Sequence, residues 1–170
     1  MKKITKKTGK QKNAFTLLEI IVVMGVIISV LTSTLVLTSL SVSSTKTSRS
    51  KIIAISLSQE GLEIVRNIRD NNWLNYRRTA LDWTTGLDAG DYRVQYNVSN
   101  LLPFSAAPLQ LSNGFYQYGS GTFTQFYRKV TIEHIGDNQI RVISEVTWSE
   151  MGRNYVISAE TRLYNWLEET

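Results

Sequence analysis

Cysteine is absent from the 170 residues, which excludes disulfides and thiolate-ligated metals from the chain. Histidine occurs once, at His134, in a segment that reads as a strand, so it is expected to be structural rather than catalytic. No nucleophile elbow, phosphate loop or metalloprotease spacing is present. The glycines at 114, 119 and 121 lack the strand–glycine–helix setting of a dinucleotide site. Proline is limited to Pro103 and Pro108, so nothing of that kind interrupts the first hundred residues. Acidic residues are missing before Glu19, and charge of either sign is missing from Ile20 to Thr45. These absences argue against an enzyme and against any cofactor.

The net charge of +5 comes from one end. Lys2, Lys3, Lys6, Lys7, Lys10 and Lys12 stand in the first fourteen residues, and the remaining chain carries thirteen basic against fourteen acidic side chains. A basic head before a long apolar run is held in the cytoplasm by the positive-inside rule. Ile20 to Leu40 matches the roughly 20 residues that span a bilayer. It exceeds the 7 to 15 of a secretory signal core, although Ser41-Val42-Ser43 is a passable signal cleavage site. At the mouth of this run stands Glu19. A carboxylate in hydrocarbon costs on the order of 3 kcal/mol, so its placement there calls for a partner or a headgroup position.

Asn13-Ala14-Phe15-Thr16-Leu17-Leu18-Glu19 resembles the N-terminal processing motif of the type IV pilins and the pseudopilins of type II secretion. The resemblance covers about residues 10 to 40. It implies a basic leader over 1–14, cut between Ala14 and Phe15 by a prepilin peptidase that also methylates Phe15. Ala14 departs from the family's usual glycine by one methyl group. Glu19 matches the glutamate that attracts the N-terminal amine of a neighbouring subunit during assembly. The implied partners are like or related pilin subunits, the prepilin peptidase/methyltransferase, the assembly machinery and the membrane. The implied location is the cytoplasmic membrane, single-pass with the C-terminal domain outside, and a surface filament after assembly. Without cysteine, the C-terminal loop that many pilins close with a disulfide must be held by packing.

The fold class expected is α+β and pilin-like: a long N-terminal helix over 15–72, transmembrane over about 18–40, packed on a C-terminal antiparallel β-rich domain over 73–170. Such a helix would be about 87 Å long. Its second half turns amphipathic, with Ala54, Leu57, Gly61, Leu62, Val65 and Ile68 at three- and four-residue steps. Twelve of the residues from Thr32 to Ser50 are Ser or Thr, and this tract is expected to be the soft part of the helix. Asp70-Asn71-Asn72 is read as the helix stop. Residues 74–91 are expected to form a polar connector and 99–122 a loop. Strands are expected at Tyr92–Val98, Phe123–Ile135, Gln139–Trp148 and Tyr155–Tyr164, with turns at 136–138 and 151–152, in a meander.

Two binding readings are weighed and set lower. Asp82, Asp88 and Asp91 cluster in the connector, but their spacing matches no calcium loop and reads as a solvated one. Arg66, Arg69, Arg77 and Arg78 with Trp73 and Tyr76 suggest nucleic acid, which a near-neutral mature charge makes a poor fit. Trp83, Trp148 and Trp166 read as core or subunit-contact aromatics. The function expected is a structural subunit of a type IV pilus. The alternative within the class is a type II secretion pseudopilin. The alternative outside it is a membrane-anchored extracytoplasmic binding domain that does not polymerise.

Overall fold

The computed structural model describes residues 16–79, 82–98 and 100–166, with no statement on the side chains of 76–79. The chain divides into two compact units, Met1–Thr45 and Lys46–Thr170, and each is described by itself. One helix, α1, Leu17–Thr79, contributes to both.

In the first unit, α1 is unbroken through the Ser/Thr tract. Ser29, Thr32, Ser33, Thr34, Thr38 and Thr45 each donate a hydroxyl hydrogen bond to the carbonyl four residues back, at 2.6–2.9 Å. These bonds satisfy hydroxyls that would otherwise be costly in an apolar setting.

In the second unit, α1 packs on an antiparallel sheet. All six positions expected on its inner face, Ala54, Leu57, Gly61, Leu62, Val65 and Ile68, are buried. The sheet is formed by β1 (Gly90–Arg93), β2 (Leu102–Pro103), β6 (Tyr127–His134), β7 (Gln139–Glu150) and β8 (Arg153–Tyr164), in the order β2-β1-β6-β7-β8. β6, β7 and β8 form the expected meander; the β7–β8 register is complete from Gln139↔Tyr164 to Glu150↔Arg153. Ile140, Val142, Val146 and Trp148 are all buried, as their shared parity requires. On β8, Leu163 is buried while Tyr155, Ile157 and Ala159 are half-buried. Both expected turns form, the second with positive φ at Met151 and Gly152, the geometry of a tight hairpin turn.

Gly61 marks the closest approach of helix and sheet. A Cβ there would run into the Ser144 hydroxyl and lie 3.2 Å from the Ser144 Cβ and 3.3 Å from the Val130 Cγ2. Beside it the buried Ser58 hydroxyl donates to the Ser144 carbonyl at 2.9 Å.

The structure corrects the sequence reading in five places, three from the helix end through residue 98 and two in the segment after them. The helix does not stop at 72 but runs to Thr79. Asn72 is buried, and its side-chain amide donates to the carbonyls of Trp83 (3.1 Å) and Thr85 (2.8 Å) instead of capping its own helix. The 74–91 connector is therefore not simply polar: its first part is helical, and Trp83 and Leu87 are core residues. The strand expected over 92–98 ends at Arg93, because the Val94 carbonyl is taken by Arg128 and a turn closes through Val98 N–H to the Gln95 carbonyl.

The expected 99–122 loop holds β2 and most of a small sheet of β3 (Gln110–Ser112), β4 (Phe115–Gln117) and β5 (Thr122–Phe123), ordered β4-β3-β5. Asn113-Gly114, both at positive φ, turns β3 into β4. The strand expected from Phe123 divides: Phe123 belongs to β5 and β6 begins at Tyr127. The interval is held by Leu109, whose N–H donates to the Phe126 carbonyl and whose carbonyl accepts from Thr124 N–H.

Candidate functional site

The helix start is built from Thr16. Its Oγ1 accepts a hydrogen bond from the Glu19 N–H at 3.3 Å, and its carbonyl accepts from the Ile20 N–H at 3.3 Å. Thr16-Leu17-Leu18-Glu19 thus has the spacing of a capping box, Thr at the cap and Glu three residues on. The Glu19 carboxylate stands in the first turn, at the positive end of the helix dipole. The Thr-x-x-Glu spacing is the sequence signal for the cap at Thr16. Ala14 and Phe15 lie outside the described residues.

Below Glu19 the helix is apolar all round and uncovered. None of its most apolar window is buried, and it is long and apolar enough to cross a membrane. Leu17 is 78% exposed, Ile28 63% and Leu35 71%. Exposed apolar surface of this extent is unfavourable in water by roughly 25 cal/mol per Å² and marks a surface that lipid or protein covers. Glu19 is its one charge.

The other sequence candidates are drawn into the packing of the second unit. Arg66 pairs with Glu63 at 2.5 Å. Arg69 pairs with Asp70 at 2.7 Å and lies over the Trp73 ring, 4.4 Å from its centroid. Trp73 is buried between Trp83 and the edge of the exposed Trp166, so its ring is not free to stack on a base. The side chains of Tyr76, Arg77 and Arg78 lie outside the described residues.

The three aspartates do not converge. The Asp82 carboxylate accepts from the Thr84 hydroxyl at 2.7 Å, and that of Asp91 from the Thr131 hydroxyl at 2.6 Å. Among the described residues no group of three His, Asp or Glu side chains is placed to hold a metal. His134 Nε2 donates to the Leu87 carbonyl at 2.8 Å, tying the connector to β6.

One buried polar centre had no counterpart in the sequence reading. Arg128, 1% exposed on β6, donates to the carbonyls of Leu57 on α1 (3.1 Å) and Val94 (2.5 Å), with Glu60 Oε1 at 3.4 Å. The Tyr118 hydroxyl donates to the Arg128 carbonyl at 3.3 Å, and burial raises the Tyr118 pKa above the ordinary phenol value. This centre joins helix, sheet and loop. The period-2 pattern of β6 was its only signal, since Arg128 has the same parity as the buried Val130 and Ile132. Near Glu60 a cleft of about 410 Å³ runs along α1, lined by Glu63, Ile64, Asn67 and Tyr96 among others.

No protein-family model, curated protein or solved structure matches this chain.

Proposed function

We propose that the chain is a prepilin-like structural subunit of a type IV pilus, processed between Ala14 and Phe15 and assembled through its N-terminal helix. The observation that carries this reading is Glu19, held in the capped first turn of a helix whose apolar surface has no cover of its own. A new amine at Phe15 would lie one helical turn from Glu19 in sequence. In a layer of packed helices an unpaired carboxylate is far more costly than one paired with a cation. The carboxylate therefore discriminates a neighbour that brings its amine to the correct depth from one that does not. An apolar helix followed by an antiparallel sheet is the layout the resemblance implies. In this reading the subunit waits in the membrane, single-pass with the β-rich unit outside, until it joins like subunits. The same residues suit a type II secretion pseudopilin.

Mass spectrometry of the mature N-terminus tests the processing. A methylated Phe15 is the expected start. A chain that keeps its leader lysines in cells with an active prepilin peptidase, or begins after residue 43, overturns the reading. Assembly is tested by Glu19→Ala, which is expected to abolish incorporation into surface filaments while leaving membrane levels unchanged. A simple anchored domain would be indifferent to that change.

A further inference from the structure

The five-stranded sheet has two unlike edges. One is β2, two residues long and ending in Pro103, which is a blunted edge. The other is β8, twelve residues from Arg153 to Tyr164 with no proline and no bulge in its register with β7. Among the described residues no backbone hydrogen bond reaches the outer side of β8. On its inward row Leu163 is buried but Tyr155, Ile157, Ala159 and Thr161 are only half-buried, so the core layer beneath most of this edge is incomplete. A long, regular strand with open N–H and C=O groups is a template for a further strand.

We infer that β8 is a docking edge for β8 of a second copy, paired antiparallel about a two-fold axis at Thr161. The occupant follows from the charges on the outward row. In a continuous sheet, outward residues must face outward residues, so the axis falls on one residue. With the axis at Glu160 or Arg162, identical charges face each other, which is unfavourable. At Ser158 or Ala159, neither charge meets its opposite. With the axis at Thr161, Glu160 of each copy faces Arg162 of the other, twice by symmetry. The same register sets Ala159 against Leu163 on the inner face and Ser158 against Tyr164 on the outer. Glu160 is already drawn toward cations, lying 2.8 Å from Arg141 and 3.8 Å from Arg162 of its own chain. This contact is separate from the helix-mediated assembly proposed above and stands or falls without it.

The test uses the full chain in membranes, with its lack of native cysteine as the clean background. Opposed residues of an antiparallel pair lie about 4.5–5.5 Å apart at Cα, within disulfide reach. Thr161→Cys under mild oxidation is expected to give a disulfide-linked dimer several-fold above Ser158→Cys or Tyr164→Cys alone. Those two variants expressed together are expected to cross-link as a mixed pair. Arg162→Glu added to Thr161→Cys lowers the yield, and further addition of Glu160→Arg restores it, because opposite charges again face each other. Arg162 is exposed, whereas Glu160→Arg gives up the surface pair with Arg141, so a circular dichroism melt of each variant checks that folding is intact. Equal yields at 158, 161 and 164, a persistent monomer, or a cross-link from Thr161→Cys to a different protein each overturn the proposal.

Discussion

Single side chains decide where this chain tolerates change. Gly61 tests which of two effects wins. Alanine gains about 1 kcal/mol of helix propensity over glycine, but its methyl group collides with Ser144 in a packed layer, where overpacking costs about 1–3 kcal/mol. Gly61→Ala is therefore expected to lower the denaturant midpoint, and Ser144→Ala in the same chain to recover part of the loss by removing the hydroxyl. Arg128 presents the opposite problem, a buried charge whose removal strands its partners. Arg128→Ala is expected to cost on the order of 3 kcal/mol, from two lost charged hydrogen bonds and a cavity. Arg128→Met keeps the volume and should cost less in the same unfolding measurement. On the exposed face, the hydrogen bond from Arg141 holds the Glu160 carboxyl below the ordinary carboxylate value. A depressed folded pKa contributes stability above the unfolded value and loses it as pH falls through the folded one. Acid titration of the unfolding midpoint should therefore fall more steeply for the wild type than for Arg141→Leu, which has no donor for that bond.

At the scale of elements, local signals suffice where the periodicity is long and mislead where one side chain reaches across the fold. The helix face from Ala54 to Ile68 and the alternating faces of β7 follow from spacing alone, because each periodic set must find one covered side. Asn72 shows the limit. Asparagine competes for backbone bonds, which made Asp70-Asn71-Asn72 look like a stop; in the folded chain that capacity is spent on Trp83 and Thr85, eleven and thirteen residues on. Asn72→Ala is expected to cost about 1–3 kcal/mol by leaving buried carbonyls unpaired, and to speed amide exchange over 82–89 before the rest of the second unit. The β3–β4 turn is legible in Asn113-Gly114, but the Pro, Gly and Ser content of 99–122 reads as loop and its strands of three residues are too short to show a period.

For the whole molecule, the uncovered helix dominates behaviour. The full chain is expected to stay with membranes through an alkaline wash, whereas a chain beginning at Lys46 should be released and still show a cooperative melt, since Lys46–Thr170 is a compact unit with its own core. Release of the full chain by the wash would show that Leu17–Thr45 does not span. The sequence by itself determined the apolar run, its single carboxylate at Glu19, the amphipathic half of α1 and the β6–β8 meander, because composition and period act through neighbours a few residues apart. The tertiary structure alone decided that Arg128 lies buried under α1, that Asn72 clasps the connector, and that β8 is left as the long open edge. Each of these depends on residues brought together from eleven to seventy-one positions apart or on the order of strands, and no local pattern encodes which strand is last in a sheet.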